Sequence, residues 1–415
     1  MTVPSPPSPN PLGYSRSEWE SLAQSWSLPA YRGRQIFDAI HHRGARSAAE
    51  IHEVPRELRE RLEKELPIGL PAVVRREESR DGSVKYGLRL DDGALIEAVY
   101  MPGDGGGAQV NEFADARVFG LGAAPPSPLP PFASGDPTFG RGPNLRSAKG
   151  DASDALPRAG RFTVCLSSQT GCAVDCAFCV TGRLGGGRNL SAGEIIGELY
   201  AVLDDAGRTA NGLRVVFMGM GEPFLNVDGV LGALEVLFEF LAPRRVTVST
   251  SGITPAFARF GALPRRPNLA VSLNAADEET RAALMPVTRI YPLEGLLRAM
   301  REWPLEPRRW ITVEYVLIAG RNDSPREAKR LARILSGIRA KVNVIPLNED
   351  PVYLPGWKRP DEAAIDRFAA ALSSGGLAVT VRRSRGPDAS AACGQLKGRT
   401  EDPRRRPKSE VQRSR

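Results

Sequence analysis

From Arg161 onward the chain repeats one pattern: a short apolar run, a polar or glycine-rich turn, then an amphipathic stretch. The runs are FTVCLSS, RVVFMGM, VTVSTSG, LAVSLNA, ITVEYVLI, VNVIPL and AVTVRR. Continuous apolar strands alternating with helices imply a parallel sheet covered by helices, because parallel neighbours need a crossover long enough to hold one. About six such strand–helix units predict an α/β fold, a partial (open) α/β barrel, with its chemistry at the carboxyl ends of the strands. The polar residues do follow the apolar runs: Met220-Gly221-Glu222, Ser249-Thr250-Ser251, Ser272-Leu273-Asn274 and Asn348. Between runs, Ser191-Ala192-Gly193-Glu194 reads as a capping box that opens a helix reaching Leu203.

The sequence before this repeat is organised differently. SRSEWESLAQSW and GRQIFDAIHHRG carry apolar residues at helical spacing, and PRELRERLEKEL opens with a proline suited to a first turn. The period then changes to two. AVVRREES, SVKYGLRL and ALIEAVYMP are strand-like and are separated by Asp-Gly turns, a strong hairpin signal. The predicted organisation is an N-terminal helical accessory domain over 1–70, a small antiparallel sheet over 71–102, a disordered Gly/Pro-rich insertion over 103–160, the partial barrel over 161–396 and a basic disordered tail over 397–415.

Composition narrows the function classes. With 41% hydrophobic and 25% charged residues the chain has the balance of a globular protein, and no apolar run reaches the ~18 residues of a membrane span. MTVPSPPSPNP lacks the basic and apolar regions of a secretory signal, so a cytoplasmic location is expected. Structural disulfides are rare there, and five cysteines then suggest metal or redox chemistry. A net charge of +8 suits an anionic partner such as nucleic acid, or simply a solvated basic surface.

Three of those cysteines fall in GCAVDCAFCV, as Cys172, Cys176 and Cys179 in a C-x3-C-x2-C pattern. A closed zinc site needs four protein ligands. The histidines, His41, His42 and His52, all lie in the N-terminal helices, so a zinc site would need a remote cysteine or carboxylate. A redox pair would use Cys176 and Cys179 and leave Cys172 unexplained. A four-iron cluster normally takes four thiolates, and three would leave one iron open to a substrate or cofactor.

This motif after the first strand of an α/β barrel resembles that of radical S-adenosylmethionine (SAM) enzymes, as does Phe178 inside it. Together with VCLSSQTGCAVDCAFCVTG, VFMGMGEPFLN, VTVSTSG, VEYVLI, NVIPLN and AACGQL, the chain closely resembles the RlmN-like family that methylates C2 of adenine in 23S ribosomal RNA. Many members also act on transfer RNA. The resemblance runs from about Tyr14 to Gly398, interrupted by the insertion. It implies a [4Fe-4S] cluster on Cys172, Cys176 and Cys179, and two SAM molecules per turnover. One would methylate Cys393; the other would yield an adenosyl radical that removes hydrogen from that methyl group. The carbon radical adds to the unactivated C2, and Cys165 resolves the protein–RNA adduct by forming a disulfide. Glu97 matches the proposed proton acceptor. Gly221, Glu222, Ser249, Ser272, Leu273, Asn274 and Asn348 would contact the cofactor.

The resemblance further implies an electron donor such as flavodoxin or ferredoxin, a monomer, and no membrane partner. The family usually carries Ser-Leu-His where this chain has Ser272-Leu273-Asn274; asparagine hydrogen-bonds but does not titrate near neutrality. Arg32, Arg34, Arg43 and Arg46, and Arg382, Arg383 and Arg385 before Cys393, are candidate phosphate grips. Three alternatives remain beside this reading. They are a relative that methylates C8 of the same adenine, a radical enzyme acting on another substrate, and a non-catalytic iron–sulfur or zinc regulator that binds nucleic acid.

Overall fold

The computed structural model describes residues 10–103, 117–119, 160–382 and 394–397. One sheet runs through the molecule. Its strands are β1 (Ala72–Glu78), β2 (Val84–Arg89), β3 (Leu95–Pro102), β4 (Arg117–Phe119), β5 (Phe162–Cys165), β6 (Leu213–Phe217), β7 (Val246–Thr250), β8 (Asn268–Ser272), β9 (Ile311–Leu317), β10 (Ala340–Pro346) and β11 (Ala378–Val381). Their spatial order is β1-β2-β3-β5-β6-β7-β8-β9-β10-β11-β4. From β5 to β11 every pair is parallel, as continuous apolar runs require. Crossover helices such as Ala192–Asp205, Val227–Phe240 and Glu362–Ser374 join them. The sheet has two ends, so the barrel is open.

The antiparallel meander β1–β3 does not stand apart. Strand β3 pairs with β5, Val99 opposite Cys165 and Pro102 opposite Phe162, so the meander extends the barrel sheet. Its two turns use the Asp-Gly pairs as expected. Gly82 and Gly93 take φ of 76° and 81°, where a Cβ would be strained, and the preceding Asp81 and Asp92 accept the N–H groups of Ser83 and Ala94. Within the stretch read as a disordered insertion, β4 pairs antiparallel with β11. Arg-Val-Phe is a short strand-compatible island among glycines and prolines, and a free sheet edge offers it a complete ladder.

The Ser191–Glu194 capping box forms, with Glu194 N–H on Ser191 Oγ and Ser191 N–H on the Glu194 carboxylate. The helix it opens carries the N-terminal unit on its outer face. Arg46 makes two hydrogen bonds to Asp204 and lies over the Tyr200 ring. His41 Nδ1 lies 2.7 Å from the Tyr200 hydroxyl. The other N-terminal arginines read as phosphate grips are also engaged: Arg34 with Glu20, Arg43 with Glu53, and Arg32 with Gln35. Exposed pairs of this kind contribute little stability; of these four arginines, Arg46 is the one bonded to the barrel helix.

His41 is packed between Phe37 and Tyr200, and its Nε2 is buried with no hydrogen-bond partner. Burial, assisted by the neighbouring His42, Arg46 and Arg16, lowers its pKa from 6.5 to about 3. The folded chain therefore keeps His41 neutral where the unfolded chain protonates it. The stability this supplies is complete above pH 6.5 and is lost as pH falls toward 3. Between pH 7 and 5 the expected loss from this group is about 2 kcal/mol. Urea denaturation at the two pH values should show that slope, and His41→Gln should flatten it; an unchanged slope would refute the assignment.

Candidate active site

The carboxyl ends of the parallel strands surround one cleft that opens to solvent. Cys172, Cys176 and Cys179 line it from the loop after β5. Gly221 and Glu222 enter after β6, Ser249 from β7, Ser272 from β8, and Asn348 after β10. These positions are far apart in sequence, and the barrel brings them to one wall as its architecture demands. Arg382 also lines the cleft, whereas Arg383 and Arg385 lie outside the described residues.

The turn after β6 is fastened to the strand end of β5. Gly219 N–H donates to Leu166 O at 3.0 Å, Met220 N–H to Ser167 Oγ at 2.9 Å, and Glu222 N–H to Gln169 Oε1 at 2.8 Å. This closeness explains the glycines of GMGEP. Gly221 has φ of 97°, and a Cβ there would lie 2.6 Å from Gln169 Cβ, so no larger residue fits. The Glu222 carboxylate accepts Phe224 N–H at 2.9 Å and Ser251 N–H at 2.7 Å, joining β6 to β7. Burial raises its pKa, opposed by those amides.

Leu273 and Asn274, two of the expected cofactor contacts, are not among the residues lining the cleft. Leu273 is fully buried. Asn274, at φ 61°, accepts Val316 N–H at 2.8 Å through its side chain, and its carbonyl accepts the Asn322 amide at 2.8 Å. Neither is in the cleft wall; both shape the strand end that presents Ser272. Asparagine suits this position because it tolerates the left-handed backbone and supplies an acceptor.

Cys165 ends β5 and is buried, between Val99 of β3 and Val216 of β6. Glu97, on β3, is also fully buried. Its carboxylate accepts from Arg75, lies 3.8 Å from the Lys85 ammonium, and accepts Lys397 N–H at 2.8 Å. Its carbonyl accepts the Ser167 hydroxyl at 2.9 Å. Glu97 thus holds the segment that follows Cys393. Cys393 itself lies outside the described residues. Its neighbour Gly394 lines the cleft, and the Gly394 carbonyl accepts Val180 N–H at 2.7 Å, directly after Cys179. Thr181 Oγ1 donates to Leu396 O at 2.7 Å.

Sequence reasoning passed over several residues here. Glu314 on β9 lines the cleft and accepts from Asn343 Nδ2 at 3.1 Å; it stood in VEYVLI without a role. Glu198 is buried, and both its oxygens accept Ser167 N–H, at 3.0 and 3.1 Å; burial raises its pKa well above the usual carboxylate value. Its signal was a carboxylate four residues after Glu194 on the inward helix face. Arg281 is also fully buried.

The donor set can be tested against a metal group. Burial raises the Cys172 and Cys176 pKa values, and the neighbouring thiols and Glu222 raise them further. Thiols in such surroundings become thiolates when a metal supplies the positive charge. Among the described residues no three His, Cys, Asp or Glu converge on a single-ion site. Thiols arrayed along the wall of a wide cleft fit a cluster, in which each iron takes its own thiolate.

Comparison with known proteins agrees with this geometry. Residues 166–332 match the radical SAM superfamily model. The chain is 41% identical over 378 residues to the probable dual-specificity RNA methyltransferase RlmN of Koribacter versatilis, covering 90% of this chain and 97% of that protein. It is 39% identical to the dual-specificity RNA methyltransferase RlmN of Syntrophobacter fumaroxidans, covering 92% and 96%. The crystal structure of a radical SAM methyltransferase from Sphaerobacter thermophilus superposes with a TM-score of 0.75 at 35% identity, covering 94% of this chain and 99% of that one.

Proposed function

Because the chain belongs to the RlmN family of dual-specificity RNA methyltransferases, within the radical SAM superfamily, we propose that it methylates C2 of adenine in 23S rRNA and in tRNA through a methylated Cys393. The chain is a radical SAM RNA methyltransferase, and membership implies a [4Fe-4S] cluster and SAM. One observation carries the finer reading. Gly394, the residue after Cys393, lines the same cleft as Cys172, Cys176 and Cys179 and is hydrogen-bonded to Val180 beside Cys179.

Cys172, Cys176 and Cys179 would hold the cluster. When bound, the cluster and SAM supply an electron, a methyl group and radical chemistry that no side chain offers. The chain's own part is positional. Gly221 lets the backbone close on the bound group, Glu222 locks the ends of β6 and β7, and Ser249, Ser272 and Asn348 offer hydrogen bonds from three further strands. Cys393 would be the sulfur nucleophile that takes a methyl group from SAM, the sulfonium S–CH3 bond breaking and the thioether leaving, so a second SAM would be needed per turnover. Cys165, as a thiolate, would form the S–S bond to Cys393 as the Cys393 S–CH2 bond breaks; the departing methylene keeps that electron pair and takes up a proton to become the methyl group, while Glu97 would accept the proton lost from C2. Arg382 at the cleft contributes to RNA binding. An electron donor of the flavodoxin or ferredoxin type, action as a monomer and a cytoplasmic location complete the proposal. Among the described residues no helix is long and apolar enough to cross a membrane.

The test is product analysis. Protein loaded anaerobically with its cluster should convert adenosine to 2-methyladenosine in both 23S rRNA and tRNA, identified by nucleoside mass spectrometry against 2-methyl and 8-methyl standards. Formation of 8-methyladenosine alone, or no modified base, would overturn it.

A further inference from the structure

Every buried arginine needs an explanation, and Arg281 has an unusual one. It is fully buried in the helix Glu278–Leu284. Its guanidinium donates to Leu273 O at 3.1 Å, Thr288 Oγ1 at 2.7 Å, Ser251 O at 2.6 Å and Ser272 O at 3.2 Å. All four acceptors are neutral. Among the described residues no carboxylate forms an ion pair with it, whereas Arg188 is paired with Asp92 and Glu194, and Arg330 with Asp277. A buried cation without a counter-ion is costly, by several kcal/mol even after relaxation.

Its surroundings show where a counter-charge would sit. Burial lowers the Arg281 pKa, and the negative charges that oppose this are a Cys176 thiolate, Glu278 and Glu222. The helix is also fastened to the cysteine loop, because Leu284 O accepts Ala177 N–H at 2.8 Å, between Cys176 and Cys179. The fork meanwhile crosslinks the carboxyl ends of β7 and β8, which carry Ser251 and Ser272 of the cleft wall.

We propose that Arg281 is the fixed counter-cation of the thiolate-bound cluster and sets its reduction potential. The inference rests on the cluster reading above. Three thiolates around a four-iron core give an anionic assembly, and one-electron reduction adds another negative charge without moving a proton. A cation held in a low-dielectric interior favours the more negative state. Neutral hydrogen-bonding groups would align the strand ends equally well but would not do this.

The test uses reconstituted full-length protein, with iron and sulfide content measured first, and compares Arg281→Lys and Arg281→Gln by EPR-monitored redox titration. Wild type that binds no cluster would refute the cluster reading itself. With wild type loaded, Arg281→Gln should lower the ratio of reduced to oxidised cluster at fixed poise about tenfold, which is about 59 mV for a one-electron couple. Arg281→Lys should stay within about twofold of wild type, although it loses the fork. A folded Gln variant that cannot hold the cluster, beside a Lys variant that can, would also support the proposal. Equal potentials in the Gln variant and wild type, equal shifts in both variants, or failure of both to fold or to load would assign Arg281 to the fold alone and overturn it.

Discussion

Cys393→Ala should abolish RNA methylation, by at least roughly 10³-fold, as expected when a covalent nucleophile is removed. Intact-mass measurement of wild type with cluster, SAM and reductant should show one added methyl group, and the variant should stay at its unmodified mass. No other described thiol can substitute. Cys172, Cys176 and Cys179 are assigned to the cluster, and Cys165 is buried at the end of β5. The variant should still cleave SAM to 5′-deoxyadenosine, because the cleft wall and the cluster cysteines are untouched. Retained methylation would remove the methyl-carrier step and favour direct attack on another substrate.

The second large effect is expected at Glu97. Glu97→Ala removes a fully buried carboxylate that faces Arg75 and Lys85 and holds Lys397 N–H. Removing it takes one partner from Lys85 and from the part-exposed Arg75, each of which keeps Glu77, and about 2 kcal/mol of stability should be lost. Chemical denaturation should read it, and limited proteolysis should show earlier cutting near residue 397. Methylation should fall at least roughly 10²-fold, the scale of a lost acid–base group. Glu97→Gln separates the two roles. It retains an acceptor for Lys397 N–H but cannot take a proton, so the segment should stay protected while a covalent protein–RNA adduct accumulates on a denaturing gel. Normal turnover in the Gln variant would leave Glu97 as a clamp and exclude it as the proton acceptor.

Much of this arrangement was legible in the residues, for identifiable reasons. Strand periods, the Asp-Gly turns and the Ser191–Glu194 capping box are local, and each formed as the sequence implied. The polar positions after the strands were legible because a parallel barrel places its strand ends together. What escaped depends on contacts between distant segments. Glu97 reads as an exposed strand carboxylate until β3 is seen enclosed between β2 and β5. Arg281 in DEETRAAL looks like a solvated helix charge, and only the packing of that helix onto β7 and β8 buries it. Asn274 reads as a cofactor contact only through the resemblance, and its left-handed backbone and burial are not visible in the sequence. The N-terminal arginines looked available to phosphates, while their partners Glu20, Glu53 and Asp204 were not adjacent in sequence.

The bond between Gly394 and Val180 has a consequence for biosynthesis. The barrel strands, the cysteine loop and most of the cleft wall are encoded before residue 382, but the wall is not whole until residues 394–397 arrive and dock on Val180, Thr181 and Glu97. A nascent chain therefore leaves the loop of Cys172, Cys176 and Cys179 open on one flank while the ribosome is still translating. If the cluster is built there, this is the interval in which iron and sulfide would reach those thiols without displacing the 394–397 segment.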